Sequence, residues 1–212
     1  MKWMWLVMLA VVVVVLLVFM GGKGPDLSKF EYLKEPQIIT KPAQKMMVLE
    51  VTGDPSGDAG KAVGTLFKMF FKVKGKTKGM EMAAPRARWP KPVDTPREEW
   101  VGIWAMPVPE SVETLPQQKA GDLQVRLETW EYGEVAEILH IGPYSEEPAT
   151  IEKLHKLIDE NGYKITGPHE EEYLKGPGMF GKGNPAKYYT IIRYPVEKKW
   201  TKKVQEKIFG KK

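Results

Sequence analysis

The sequence predicts an α+β fold in which a pseudo-twofold repeat of strand-helix-strand-strand units forms an antiparallel sheet, with two helices on one face and a central crevice. The order of predicted elements is the first reason: strand, helix, two or more strands, then strand, helix, two strands. The second is that each half places a glycine turn between its first strand and its helix, after LEVTGD and after EILHIG. An N-terminal transmembrane helix is predicted in addition.

The first half begins with a strand at 45–51, which a breaker-rich turn, GDPSGD, follows. A helix is expected at 57–72, because apolar residues recur there at three- and four-residue spacing and form one apolar face. Strands at 79–87 and 98–107 flank a proline-rich loop. A further strand at 123–132 alternates clearly between apolar and polar residues.

The second half repeats this order. Its helix follows the turn GPYSEEP, with Ser145 as the expected N-cap, and ends at Asn161 and Gly162. The strands of this half are predicted at 134–141, 169–174 and 187–194.

The N-terminal segment at 3–20 is apolar without interruption. Its roughly 18 residues would form about 27 Å of helix, close to the ~30 Å thickness of a bilayer core. The alternative is a cleaved signal peptide, but the run ends in Val18, Phe19 and Met20 where small residues are expected. We therefore predict a membrane location with a single-pass N-terminal anchor, and the side of the soluble domain stays open.

Four segments are expected on this basis: a transmembrane anchor at 1–22, a proline-containing tether at 23–44, the globular domain at 45–196 and a basic tail at 197–212. The tail either lies on anionic lipid as an amphipathic helix or is a frayed, soluble terminus. Expected partners are a small amphipathic molecule and membrane lipid, through 3–20 and the tail, and no nucleic acid.

Composition excludes several function classes. The chain has 212 residues and no cysteine, so a disulfide framework, a thiolate zinc site and a cysteine nucleophile are excluded. The net charge of +5 is modest and gives weak support for nucleic-acid binding. His140, His155 and His169 share no metal-ligand spacing, and we expect neither a metal site nor a cofactor.

A group of motifs in the second half carries a family resemblance. These motifs are HIGPYSEE at 140–147, NGY at 161–163, GPHEEEYL at 167–174 and TIIRYPV at 190–196. Through them the chain resembles the GyrI-like small-molecule-binding family, which is related to the effector-binding domains of multidrug-responsive transcription regulators and shares a general fold with SOUL proteins. The resemblance covers 120–196 well, and 45–115 less well.

The resemblance implies a sheet with two helices and a central pocket for amphipathic, often cationic or polycyclic, compounds. Some members of the family are hydrolases that open strained, cyclopropane-bearing genotoxins. The sequence departs from the family in the glycine-rich segment at 175–185. No helix-turn-helix segment is expected, so the regulator role is not carried over.

Glu171 matches the pocket glutamate of the family. On a strand, Glu171 and Tyr173 share one face while Glu170 and Glu172 share the other. A carboxylate in an aromatic pocket would attract a cation, and a desolvated one could act as a general acid or base. We expect Glu170 and Glu172 to be solvated.

The candidate catalytic residues are Glu171, Tyr144 and Tyr173, because a tyrosine supplies both a ring wall and a hydroxyl donor. The alternative for each tyrosine is ordinary packing. The candidate ligand-binding residues are Glu171, Tyr173, Tyr144, Trp104, Trp130 and Trp89, the indoles offering cation–π contact. His140, at a strand end, is interpreted as a structural residue and not as a ligand.

Two function classes follow, with two alternatives. The first is a membrane-anchored domain that binds small amphipathic or cationic and polycyclic molecules, and the second is a hydrolase that uses the same pocket against strained electrophiles. Whether the chain is an enzyme stays open. A SOUL-type haem or tetrapyrrole binder and a structural module with a self-filled crevice are the alternatives.

Overall fold

The computed structural model describes residues 26–53, 55–92, 95–176 and 184–199. The chain divides into two compact units, Met1–Glu31 and Tyr32–Lys212. In the described part of the first unit, the Ser28 hydroxyl donates a hydrogen bond of 2.6 Å to Asp26. The second unit contains the sheet.

The described residues form nine strands and two α-helices. The strands are β1 Gln37–Lys41, β2 Gln44–Thr52, β3 Arg86–Trp89, β4 Val101–Pro107, β5 Arg126–Trp130, β6 Gly133–Ile141, β7 Tyr163–Ile165, β8 His169–Lys175 and β9 Tyr189–Lys198. The α-helices are α1 Pro55–Lys74 and α2 Glu147–Glu160, and short 3-10 helices span Ser28–Lys34, Arg97–Glu99, Tyr144–Glu146 and Pro185–Lys187.

The strands pair antiparallel in the order β1-β6-β9-β8-β3-β4-β2-β5, and β7 pairs with β9. The pairing of β3 with β8 joins the two halves of the sheet and sets Ala87 opposite Glu171. The sheet is curled, because Ile39 on edge strand β1 and Trp130 on the other edge strand, β5, pack in one cluster. The α+β class with an antiparallel sheet is therefore confirmed.

Both α-helices cover the same face of the sheet, which we call the helix face. Helix α1 buries Leu66 and Phe70 against Met47 of β2, in a cluster that also contains Trp104. Helix α2 buries Leu154 and Ile158 with Ile138 and Ile192, from β6 and β9. Full burial of each such side chain is worth about 1.5–3 kcal/mol. Strands β3 and β8 lie between the two helix-covered regions, and we call the helix face of these two strands, between α1 and α2, the central crevice.

The ends of helix α2 only partly follow the sequence prediction. At the C-terminus, Gly162 has a φ of 70° and its N–H bonds to the Asp159 carbonyl, as a glycine beyond the last turn does. At the N-terminus, the cap is Glu146, which makes no side-chain cap bond, so Ser145 is not the N-cap. The 3-10 turn Tyr144–Glu146 intervenes between the strand and the helix and displaces the start of the helix.

Two strands were missing from the sequence prediction. Strand β1 lies inside the segment expected to be a tether, and it pairs with β6 over its whole length, Gln37 opposite Glu137. Pro36 and Pro42 flank it, and these prolines favoured the spacer interpretation. Strand β7 has only three residues, too few for a periodic signal. The strand predicted at 79–87 is confined to Arg86–Trp89, after Pro85.

The predicted membrane location is corrected by the structure. Within the part of the chain that the structure describes, no helix combines the length and the apolar composition needed to cross a bilayer. The single-pass membrane location is contradicted by this finding. The predicted anchor at 1–22 and residues 200–212 of the predicted tail lie outside the described residues.

Candidate functional site

Strand β8 divides its side chains between the two faces of the sheet, and three of them lie on the helix face. The pairing of Glu171 with Ile192, which packs under α2, places Glu171 on the helix face. His169 and Tyr173 lie two residues away on the same strand and share that face. The alternation of HEEEYL is thus what sets a carboxylate between an imidazole and a phenol.

A chain of hydrogen bonds holds the Glu171 carboxylate. One oxygen lies 2.8 Å from His169 Nε2, and the other accepts the Tyr173 hydroxyl at 2.5 Å. His169 Nδ1 lies 2.8 Å from the Tyr194 hydroxyl. A neutral imidazole can donate to Glu171 and accept from Tyr194, so all these bonds can form without a positive charge. The Glu171 side chain is 13% exposed.

Aromatic rings line the crevice around this carboxylate. Tyr173 stacks on Trp104 with a centroid distance of 5.9 Å. Tyr144 meets Tyr173 edge-on with a centroid distance of 6.0 Å, and its ring is tilted against Tyr188 at 5.4 Å. Trp89 lies edge-on to Trp104 at 5.6 Å. These distances fall in the range in which ring pairs attract beyond simple area burial.

Gly102 on β4 makes the close approach of the two indoles possible. A Cβ at this position would lie 2.8 Å from Trp104 Nε1 and 3.2 Å from a Trp89 ring carbon. Real Cβ atoms essentially never come as close as 2.8 Å to another heavy atom, so a side chain at Gly102 would displace the Trp104 ring and crowd Trp89. The Trp89 indole N–H is buried and has no hydrogen-bond partner among the described residues.

Glu147 contributes a second carboxyl group next to the same cluster. It is the first residue of α2 and is 7% exposed, and its Oε1 has no hydrogen-bond partner within the described ranges. Burial, and secondarily the charge of Glu171, raises the pKa of Glu147 to about 8. Glu147 is therefore mostly protonated at neutral pH.

The tyrosine hydroxyls of the crevice stay neutral at physiological pH. Burial raises the pKa of Tyr144 and of Tyr173, and the charge of Glu171 adds to both shifts. Burial also raises the pKa of Tyr194 to about 12. These hydroxyls are consequently hydrogen-bond donors and cannot serve as general bases near neutral pH.

The face of the sheet away from the α-helices, which we call the inner face, holds a buried ionic cluster. Arg193 is 1% exposed and donates to Glu137 at 2.8 Å, to Glu170 at 2.5 Å and to Glu172 at 3.2 Å. Arg88 also donates to Glu170, at 2.7 Å. The expectation that Glu170 and Glu172 are solvated is therefore wrong, because the sequence pattern does not show that arginines on β3 and β9 face them.

The structure brings five of the six predicted site residues together: Glu171, Tyr173, Tyr144, Trp104 and Trp89. Trp130 lies elsewhere, on the inner face, 3% exposed and packed with Met46 and Val48. Its ring lies 3.7 Å from the Arg88 guanidinium carbon. The alternation of polar and apolar residues along this strand places Trp130 on one face of the sheet, but it does not show which face the helices cover.

The sequence interpretation missed four residues of the cluster: His169, Glu147, Tyr188 and Tyr194. The sequence could have identified His169 as a neighbour of Glu171, since His169, Glu171 and Tyr173 alternate on β8 and therefore share one face of the strand. Glu147 gave no signal, because an acidic residue in the first turn of a helix is ordinarily a solvated partner of the helix dipole.

His140 has the structural role that was expected of it. Its Nδ1 lies 2.9 Å from the Thr150 hydroxyl and its Nε2 lies 3.1 Å from the Pro143 carbonyl. Both ring nitrogens are engaged, so the residue ties the end of β6 to the turn before α2. Both nitrogens of His169 are engaged as well, and neither imidazole offers an unoccupied nitrogen to a haem iron.

Several solved structures share this fold. An uncharacterised conserved protein from Listeria innocua is 25% identical, with a TM-score of 0.65, and the match covers 81% of this chain and 98% of that one. A hydrolase from Listeria innocua is 24% identical, with a TM-score of 0.62, covering 77% and 92%. The EcmrR C-terminal domain is 16% identical, with a TM-score of 0.53, covering 78% and 98%.

The sequence comparisons agree with the fold. No curated protein matches the sequence. A family model described as the GyrI-like small molecule binding domain matches residues 34–197, which include the whole sheet except the last residue of β9. The chain therefore belongs to the family of GyrI-like small-molecule-binding domains.

Proposed function

We propose that the central crevice binds hydrophobic organic cations, with Glu171 as the compensating charge and the rings of Trp104, Tyr144 and Tyr173 as its walls. The observation that supports this most is the environment of Glu171. Its carboxylate is largely buried and its hydrogen bonds come from His169 and Tyr173. Among the ion pairs of the described residues, none joins Glu171 to a lysine or an arginine.

The inner face of the same strand supplies the contrast. Glu170 and Glu172, the neighbours of Glu171, are paired with Arg88, Arg193 and Arg86 at 2.5–3.2 Å. A buried carboxylate without such a partner is costly, and a cation that enters the crevice would remove this cost. The distribution of arginines thus favours a ligand charge on the helix face and a structural ion cluster on the inner face.

The aromatic walls favour a cation with apolar groups. A cation over the face of a Trp or Tyr ring gains about 0.5–2 kcal/mol, more when it is desolvated. The rings also supply apolar area, at roughly 25 cal/mol per Å² removed from water. A small hydrated ion would gain neither contribution, so we expect organic cations with aryl or alkyl substituents.

The crevice lies where the two halves of the sheet meet. Read from its two edges, the strand order is β5-β2-β4-β3 and β1-β6-β9-β8, and in each half the second strand in this order leads into an α-helix. We propose that the halves are the two units of a pseudo-twofold repeat, with the ligand at the β3–β8 junction between them. Clefts at such junctions are common ligand sites.

Isothermal titration with two ions of matched shape and opposite charge tests the proposal. Tetraphenylphosphonium and tetraphenylborate bury nearly the same apolar area, so a difference in affinity reports the charge preference of the site. We expect the phosphonium ion to bind at least tenfold more tightly than the borate. Equal affinities, or a preference for the borate, would overturn the proposal.

We propose hydrolysis of a strained electrophile as a second candidate function. The observation that favours it is a pair of carboxyl groups in different environments: Glu171 accepts hydrogen bonds from His169 and Tyr173, while burial raises the pKa of Glu147 to about 8. Such a pair can act as base and acid on one substrate. A solved structure of the same fold is described as a hydrolase from Listeria innocua.

Product analysis with a cyclopropane-bearing alkylating agent tests the second candidate. Wild type should convert the compound to its water adduct with multiple turnovers, and Glu171→Gln should not. If wild type produces no more adduct than buffer alone, the hydrolase proposal is wrong. If wild type is active and Glu171→Gln retains full activity, Glu171 is not the catalytic base.

A further inference from the structure

Glu147 is a buried carboxyl group that the hydrogen bonds of the described structure leave partly unsatisfied. Only 7% of the residue is exposed, and its Oε1 has no hydrogen-bond partner within the described residues. Buried polar atoms in folded proteins are nearly always paired, so an exception calls for an explanation. Burial of this group without a partner costs stability, and a ligand that pairs with it would recover that cost.

The position of Glu147 in helix α2 does not supply the missing partner. The N-cap residue, Glu146, makes no side-chain cap bond, and Pro148 follows Glu147 as the second residue of the helix. Proline has no N–H, so one of the donors that usually satisfy a first-turn carboxylate is absent. The side chain therefore does not act as a helix cap.

The charges that surround Glu147 show which way it faces. The charge of Glu171, on β8, acts on Glu147 directly. Once ionised, Glu147 in turn raises the pKa of Tyr173 on the same strand, of Tyr194 on β9 and of Tyr144 in the 3-10 turn. These are the residues that hydrogen-bond to Glu171 or pack around it. Glu147 thus faces the same space as Glu171.

We propose that Glu147 and Glu171 form a two-carboxyl subsite that selects hydrophobic dications over monocations of the same shape. The proposal rests on the proposed function of the crevice, in which Glu171 compensates the first positive charge. A second positive charge on the ligand would displace the proton of Glu147 to solvent and pair with the carboxylate that remains. Binding of a dication is then coupled to the release of one proton.

Because dication binding releases a proton from Glu147, the affinity for the dication should depend on pH. Burial and the charge of Glu171 raise the pKa of Glu147 to about 8 in the ligand-free protein. Below this value the dication must displace a proton, so its association constant should rise about tenfold per pH unit from pH 6 to 7.5. Above pH 8 the proton is already lost, and the affinity should become constant.

Calorimetric titration with two permanently charged ligands tests the subsite. The dication is 1,1′-dibenzyl-4,4′-bipyridinium. The monocation is 1-benzyl-4-(4-benzylphenyl)pyridinium, which has the same framework with one pyridinium ring replaced by phenylene. Neither ligand has an acidic N–H to lose. Titration of the full chain at pH 7 in buffers of different ionisation enthalpy gives the number of protons released. We expect about one proton for the dication and clearly less for the monocation.

The variants separate the roles of the two carboxyl groups. Glu147→Gln should abolish the proton release and the pH dependence for the dication, and leave the affinity for the monocation within about threefold. The matched control is Glu146→Gln, which alters the preceding, exposed glutamate and should behave as wild type. Thermal unfolding of each variant confirms that it is folded.

The outcomes distinguish this inference from the proposed function. If the monocation binds and Glu171→Gln weakens it, but the dication releases no more protons than the monocation, the two-carboxyl subsite is wrong while cation binding stands. If Glu171→Gln leaves the affinity for the monocation unchanged, or neither ligand binds, the proposed function fails and this inference fails with it.

Discussion

The Tyr173 hydroxyl donates a hydrogen bond of 2.5 Å to the Glu171 carboxylate, two residues away on the same strand. Residues two apart on a strand point to the same face, so a single stretch of backbone sets both groups in the crevice. The second carboxylate oxygen is held by His169 at 2.8 Å. The orientation of the carboxylate is therefore fixed before any ligand arrives, and the cost of ordering it is already met by folding.

Removal of this donor should destabilise the protein. Tyr173→Phe leaves a largely buried carboxylate oxygen without its partner, and we expect the free energy of unfolding to fall by about 1–3 kcal/mol in urea denaturation. The matched control is Tyr163→Phe, whose hydroxyl donates at 3.0 Å to the exposed Glu134. Water can replace that bond, so the control should lose less. Equal losses in both variants would contradict the account.

The protonation of Glu147 should appear in the pH dependence of stability. The unfolded side chain loses its proton near pH 4.5, while the folded one keeps it until about pH 8. The folded state binds more protons in this window, so the contribution of Glu147 to stability is lost as the pH rises, by up to about 1.4 kcal/mol per pH unit. Glu147→Gln cannot titrate and escapes this loss.

The measurement is urea denaturation of wild type and Glu147→Gln at pH 5, 6, 7 and 8. The free energy of unfolding of the variant, relative to wild type, should increase steadily across this series. Glu146→Gln, which removes an exposed carboxyl, should show a constant difference. A constant difference for Glu147→Gln as well would mean that Glu147 is already ionised in the folded state at pH 5.

The buried ionic cluster of the inner face should be essential for stability. Arg193→Met leaves Glu137 and Glu170 buried without their central partner, which typically costs about 3–5 kcal/mol. Arg126→Met breaks only the exposed pair with Glu128, at 2.5 Å, and exposed pairs contribute about 0–1 kcal/mol. Chemical denaturation of both variants checks this, and a similar small loss for both would show that the cluster is not a unit.

The two faces of the sheet should respond differently to substitution of tryptophan. Trp104→Phe removes a wall of the crevice and should weaken tetraphenylphosphonium binding by about 3–30-fold, as the range of cation–π energies implies. Trp130→Phe alters the inner face and should leave the affinity within about twofold, although it lowers stability. Titration calorimetry on both variants decides between the faces, and a larger loss for Trp130→Phe would place the ligand on the inner face.

Periodicity was sufficient to predict much of the fold but not its edges. The helix at 57–72 and the strand at 45–51 are confirmed as α1 and β2, because long periodic segments carry a strong signal. Strand β1 was taken for part of a tether, since its flanking prolines are equally typical of linkers. Edge strands tolerate proline next to them, and only the pairing with β6 identifies this one.

The contacts of the candidate site were predicted where they follow from alternation along one strand, and missed where they depend on residues distant in the chain. The alternation of HEEEYL correctly paired Glu171 with Tyr173, because the period of a strand is local. The burial of Glu170 depends on Arg193, which lies more than twenty residues further along the chain, and no local pattern reports that contact. The unpartnered carboxyl of Glu147 likewise follows from tertiary packing alone.

The affinity of Glu171→Gln for tetraphenylphosphonium tests the central claim most directly. The substitution keeps the shape of the side chain and removes its charge. The control is Glu172→Gln, which removes the same charge one residue away, on the inner face. We expect Glu171→Gln to weaken binding at least tenfold while it remains folded, and Glu172→Gln to stay within about threefold of wild type. Unchanged affinity in Glu171→Gln, or an equal loss in both variants, would contradict the account.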